Sequence, residues 1–121
     1  MDWSFSDQDL FERLDAADDA ALDGVPFGVV AMALSGIVTK YNTAESRLAG
    51  LSPAKVVGRH FFSEVAPCTN NFMVAQRFEQ EPALDIVLDY VFTLRMKPTD
   101  VKLRLLKQPE RPHMFLAVER Q

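Results

Sequence analysis

Two groups of residues in this 121-residue chain have the type and spacing to do chemistry. The first is Cys68, the only cysteine, in the stretch SEVAPCTNN with Pro67 before it and Thr69, Asn70 and Asn71 after it. One thiol cannot staple its own fold and cannot alone cage a metal, but it can act as a nucleophile. Pro67 fixes its own φ, and a helix expected to open near Asn70 or Asn71 would turn free N–H groups and a positive dipole end towards the sulfur, favouring thiolate. The plain reading is a buried cysteine acting as a small apolar residue. The second group is Tyr41 with Glu45, four residues apart and so on one side of any helix they share. A phenol and a protonated carboxyl can each donate one hydrogen bond. The competing reading is a capping box, NTAE, in which Glu45 reaches back to the Asn42 backbone N–H, with Tyr41 a strand-end aromatic.

The remaining chemistry is thin. His60 and His113 stand 53 residues apart, and neither HFFSEV nor RPHMF resembles a general-base motif. A metal, a haem or a cysteine-nucleophile enzyme finds no ligand set or base here, and the chain is expected not to be an enzyme.

The elements that must position these residues follow from periodicity. SDQDLFERL reads as a short helix with Ser6 as N-cap and Leu10 and Leu14 on one face, and DDAALDG as a second helix ended by Gly24. FGVVAMAL and IVTKY read as strands joined at Ser35-Gly36. Short helices are expected from Asn42, from Ser52-Pro53 to Gly58, near HFFSEV, and from Asn70 or Asn71 to about Glu81, where Pro82 stops the chain. In LDIVLDYVFTLRM every even position from 84 to 96 is apolar or aromatic, so one face is buried and the other largely wet. DVKLRLLKQ and HMFLAVER supply two more strands across the turn PERP. Two strands, several short helices and three strands predict an α+β fold: a five-stranded antiparallel sheet with short helices over one face and an N-terminal helical cap.

Length allows one domain, with residues 1–24 as the cap and 25–121 as the body. Residues 1–24 hold eight acids and one base, which leaves the remainder of this net −4 chain at +3. An acidic segment docking on a mildly basic body is one reading, a solvated helix face the other. No basic cluster is dense enough for nucleic acid, and no apolar run approaches a membrane span. The acidic start is unlike a signal peptide, and one cysteine gives no sign of an oxidising compartment, so a cytoplasmic protein is expected.

The element order is the PAS arrangement, and the residues say more. YNTAESRLAGLSPAKVVGRHFFSEVAPCT followed by YVFTLRMKPTDVKL resembles the photoactive yellow protein family over essentially the whole chain. The anchors are Tyr41-Asn42, Glu45, Gly58, Phe61-Phe62, Val65 to Thr69 (with Pro67), Tyr90, Phe92, and Met96 before Pro98. The resemblance implies a blue-light receptor that binds para-coumaric acid as a thioester on Cys68. It implies that Tyr41 and Glu45 hydrogen-bond the buried phenolate, and that Glu45 gives up its proton after trans-to-cis isomerisation. It further implies that the N-terminal cap then loosens; if the cap is held in part by charge, that change should be larger at high salt. Val30, Phe61, Phe62, Phe92 and Met96 are the expected apolar walls, Met96 assisting back-isomerisation.

Two positions depart from the family pattern. Ala49 stands where a threonine supports the pocket tyrosine, and Leu51 where an arginine lies over the pocket mouth. Loss of both predicts altered colour and recovery, with the protonated phenol appearing at milder acidity. The partner is expected to be an unidentified downstream signalling protein, and the chain a monomer or weak homodimer. The alternative is a chromophore-free PAS module for ligand or protein binding.

Overall fold

The computed structural model describes residues 2–94 and 97–120, the side chain of Leu94 excepted; Met96 lies outside them. Strict alternation makes β3 (Leu84–Leu94) a long strand that hairpins into β4 (Lys97–Lys107), which pairs in turn with β5 (His113–Arg120). β1 (Gly28–Ala33) and β2 (Val38–Tyr41) form the first hairpin. Its turn needs Gly36, whose φ of +89° suits a residue without a Cβ. The sheet has five strands, all paired antiparallel as the sequence predicts, in the order β2-β1-β5-β4-β3.

One face carries the main core. α3 (Thr43–Ala49), α4 (Pro53–Val56), a π-helical turn (Phe61–Val65), a 3-10 turn (Pro67–Thr69) and α5 (Ala75–Gln80) run over it. Even positions of β3 obey the expected pattern: Leu84 and Phe92 are buried, Ile86, Leu88 and Tyr90 half-buried, while Asp85, Val87, Asp89 and Val91 are exposed.

The second face is wet along β3, as the alternation of residues 84–94 predicts. Over β1, β5 and the end of β4 it is covered by the N-terminal segment, with α1 (Leu10–Ala16) and α2 (Asp19–Asp23). Phe5, Leu10, Phe11, Leu14 and Leu22 close a second core against Val29, Ala31, Leu106, Phe115 and Ala117. Phe11 meets Phe115 edge to face at 5.3 Å. Arg104, only 6% exposed, ties this segment down: it grips Asp85 with two bonds of 2.8 and 2.9 Å and donates to the Phe5 and Asp7 carbonyls at 2.8 and 2.7 Å. Exposed pairs join in, Arg111 with Asp15 at 3.0 Å and Lys40 with Asp19 at 3.7 Å.

Two helix starts differ from expectation. α1 begins at Leu10, because Asp7 is taken by the Ser4 N–H and by Arg13 while its carbonyl serves Arg104. α5 begins at Ala75, because the Asn71 carboxamide captures the Met73 and Val74 N–H groups in a turn that precedes it. Among the described residues no helix is long and apolar enough to cross a membrane.

Candidate functional site

Glu45 sits in the first turn of α3, where the sequence allows either a capping box or an inward carboxyl. Half of the capping box forms. The Asn42 side chain accepts from the Glu45 N–H at 3.1 Å, but the Glu45 carboxyl does not return the bond, the Asn42 N–H donating instead to the Val29 carbonyl at 3.2 Å. It turns into the core, 2% exposed, with Oε1 lacking any hydrogen-bond partner among the described residues. Gly28 makes the room. A Cβ there would stand 3.1 Å from Glu45 Cδ and closer still to Oε1.

Burial pushes the Glu45 pKa up to about 8, against a smaller opposing pull from Arg120. Tyr41, at the end of β2 and 6% exposed, is held above its ordinary value by burial and by the adjacent Glu45 charge. At neutral pH both groups are therefore protonated donors. An orphaned carboxyl beside a buried phenol fits an acceptor that is itself anionic, since charge-assisted hydrogen bonds offset the desolvation of a buried anion.

A cavity of about 370 Å³ opens beside Glu45, lined also by Ala49, Phe92, Thr99, Val101 and Val118. Ala49 contributes to its size by being small. Arg47, Lys97 and Arg120 reach the same cavity. Leu51 itself packs half-buried on the core, its carbonyl accepting from the Ser46 hydroxyl at 2.7 Å.

Cys68 is half-exposed in the 3-10 turn and packs on the edge of the core. Because α5 starts at Ala75, its N-terminus does not stand directly after the thiol, and the expected dipole activation loses its geometric basis. Instead the Cys68 carbonyl is held by side chains. The Tyr90 hydroxyl donates to it at 2.5 Å, the Asn71 amide donates at 3.2 Å, and Asn71 also donates to the Tyr90 oxygen at 2.6 Å. Thr69 is fully buried with its hydroxyl on the Ala66 carbonyl at 2.7 Å, and Pro67 faces solvent. The segment is anchored upstream by His60, whose Nδ1 accepts from the Ser63 N–H at 3.2 Å.

The structure gathers Val30, Tyr41, Ala49, Phe61, Phe62, Val65 and Phe92 into one core against which Cys68 and Leu51 pack. Phe92 touches both ends of the site, lining the Glu45 cavity and meeting the Tyr90 ring edge to face at 6.1 Å. Sequence reasoning did not place Tyr90 and Asn71 on the Cys68 carbonyl, although Tyr90 opens the second matching motif and Asn71 closes the SEVAPCTNN stretch. It also missed Gly28, for which no local pattern gives warning.

Comparison with known proteins agrees with this geometry. A family model describing the PAS fold matches residues 16–111. The photoactive yellow protein of Halochromatium salexigens is 37% identical over 106 residues, 85% of each chain. That of Rhodothalassium salexigens is 35% identical over 104 residues, 84% of this chain and 83% of the relative. The crystal structure of the photoactive yellow protein domain from the sensor histidine kinase Ppr of Rhodospirillum centenum superposes with a TM-score of 0.82 at 35% identity, covering 90% of this chain and 98% of that one. The described elements, their order and the residues around Cys68 and Glu45 thus place the chain in the photoactive yellow protein family, on a PAS fold.

Proposed function

We propose that the chain is a blue-light receptor that carries para-coumaric acid as a thioester on Cys68. When bound, this group supplies a light-isomerised double bond and a phenol oxygen able to exchange a proton with the protein. Cys68 Sγ would form the bond to the acyl carbon of an activated coumaroyl donor as the bond from that carbon to the donor's leaving group breaks, the thiol proton leaving with the departing group. Tyr90 and Asn71 hold the Cys68 peptide still while the sulfur is acylated. Tyr41 and Glu45 donate to the phenolate, and Val30, Phe61, Phe62, Val65 and Phe92 exclude water around it. After isomerisation Glu45 passes its proton to the phenolate oxygen.

One observation carries the reading beyond family membership. The Glu45 carboxyl is buried and held protonated at neutral pH, with Oε1 lacking a partner among the described residues, an arrangement that costs stability unless a partner is supplied. Ionising it in the core destabilises the fold, and the N-terminal segment of residues 1–24, peripheral to the body of 25–121, is the part that yields first. The signal passes to a downstream signalling protein in the cytoplasm; one relative is a domain of a sensor histidine kinase, which supports an output of that kind.

The test is reconstitution. Full-length protein mixed with activated para-coumaric acid should gain the mass of one coumaroyl group and a visible band that bleaches in blue light and recovers in the dark. The Cys68→Ser variant should gain neither. A wild-type chain that stays colourless and unmodified is instead a chromophore-free PAS module.

A further inference from the structure

The cavity beside Glu45 brings a cation and an orphan acceptor together without joining them. Alternation along β5 puts Val118 and Arg120 on the site face, and Val118 pairs with Gly28, the residue whose missing side chain admits the Glu45 carboxyl. Arg120 lines the cavity and donates one N–H to the Leu48 carbonyl, in the last turn of the helix that carries Glu45. A guanidinium has five N–H donors in a fork that matches a carboxylate, so this bond leaves capacity for a second partner.

We propose that Arg120 is the counter-charge of ionised Glu45, pairing with it across the cavity whenever the carboxyl has lost its proton. The role in signalling rests on the reading of Glu45 as proton donor, whereas the pairing itself belongs to the chain with or without a chromophore. The other charged or titratable groups facing Glu45 are Tyr41 from β2, Arg47 from α3 and Lys97 from β4; β1 offers only the Gly28 backbone. Arg47 also lines the cavity, from two residues along the same helix, a spacing that does not set it face to face with Glu45. Lys97 pairs with Leu94 at the far tip of the β3–β4 hairpin. Arg120 is also the cation whose charge opposes the effect of burial on Glu45.

The consequence is mechanical as well as electrostatic. A carboxylate formed in the cavity draws Arg120 from the Leu48 carbonyl and so loosens the end of β5 from the end of α3. Arg120 is a positioning residue, setting how long the ionised state lasts rather than touching the isomerising bond.

The test follows the Glu45 carboxyl by its infrared C=O band in the full chain, assigned with Glu45→Gln. Wild type should titrate near the value of about 8 that burial sets. Arg120→Gln should move the midpoint up by roughly one unit, a tenfold weaker acid. Arg120→Lys should recover at least half of that shift, and Lys97→Gln should leave the midpoint in place. In illuminated holoprotein, Arg120→Gln should shorten the life of the Glu45 carboxylate several-fold. Thermal melts matching wild type to within a few degrees establish that the variants are folded, and Arg120→Lys provides a variant that keeps the charge. An unmoved midpoint in Arg120→Gln, or a larger shift in Lys97→Gln, overturns the assignment. A chain that takes up no chromophore refutes the photoreceptor reading while the midpoints still decide the pairing. A chain that cycles normally with an unmoved midpoint removes Arg120 alone.

Discussion

Glu45→Gln tests the central electrostatic claim without light or chromophore. Burial raises the Glu45 pKa from 4.5 to about 8 in the fold, while the unfolded chain titrates it near about 4.3. The folded state therefore holds a proton that the unfolded state releases. The stability this contributes is complete below the unfolded value and is lost as pH rises through the folded one. Between the two values each pH unit removes about 1.4 kcal/mol, so the fold loses about 3 kcal/mol between roughly pH 6 and pH 9. That is a large share of the ~5–15 kcal/mol that holds a small domain together. Tyr41 stays protonated across this window, since its own pKa lies above the ordinary 10.0. Urea unfolding of the full chain at several pH values and fixed ionic strength measures the slope. Wild type should weaken steeply and Glu45→Gln should lack that component, whatever constant offset its buried amide brings. Parallel pH profiles would mean that Glu45 is already ionised at neutral pH and cannot donate to a phenolate.

Three further outcomes follow from the hydrogen bonds. Tyr90→Phe should cost about 1 kcal/mol and speed amide exchange around the Cys68 turn, and Asn71→Ala should cost more, because it also frees the Met73 and Val74 N–H groups. The reverse ranking would show that Tyr90 rather than Asn71 holds the turn. Arg104→Met should release the N-terminal segment at a cost of about 2 kcal/mol, seen as fast hydrogen exchange or proteolysis before Gly24 with β4 and β5 still protected. Salt should not reproduce it, because the guanidinium is buried and salt screens only the exposed Asp15 and Asp19 pairs. Uniform loss of protection would make Arg104 a general stabiliser rather than a clamp. Asn42→Ser keeps an N-cap acceptor for the Glu45 N–H but drops the carboxamide's two donated bonds. It should loosen the N-terminal segment by about 1–2 kcal/mol and leave the Glu45 titration unmoved; a shifted midpoint would show that the two functions of Asn42 are not separable.

What could be read from the sequence was what depends on neighbours in the chain. Period two along residues 84–94 gave β3 and its buried face, and Ser35-Gly36 gave the hairpin turn, because both are local preferences that packing reinforces. The second core was legible in part and overlooked: Met114 to Val118 is a continuous apolar run, the pattern of a strand covered on both sides. The late starts of α1 and α5 were not legible. Each is set by a residue with a partner on a distant strand: the Asp7 carbonyl accepts from Arg104, and the Asn71 carboxamide donates to Tyr90. Glu45 shows the limit most sharply. The local rule predicts a reciprocal capping box, half of it forms, and the carboxyl goes instead where a glycine in another strand leaves space. The cations around the cavity come from three separate elements, so no single window of sequence contains them.

Asn42 is the residue through which an event at Glu45 can reach the N-terminal segment. Its Oδ1 accepts from the N–H groups of Glu45 and Val29 at 3.1 and 2.9 Å, and its amide donates to the carbonyls of Leu22 and Phe27, both at 3.0 Å. Next to it, the Thr43 N–H is taken by the Asp23 carboxylate at 3.0 Å. Asn42 is 2% exposed, so water cannot replace any of these bonds without opening the core. The start of α3, the start of β1 and the end of α2 are therefore fixed by one carboxamide, and no one of them can shift far alone. A shift of the first turn of α3 that follows ionisation of Glu45 would therefore fall on the bond that Asn42 makes to Leu22. The acidic composition of the N-terminal segment is secondary to this. The segment is held by apolar burial, by Arg104 and by Asn42, and of these only Asn42 is bonded directly to the residue proposed to change its charge.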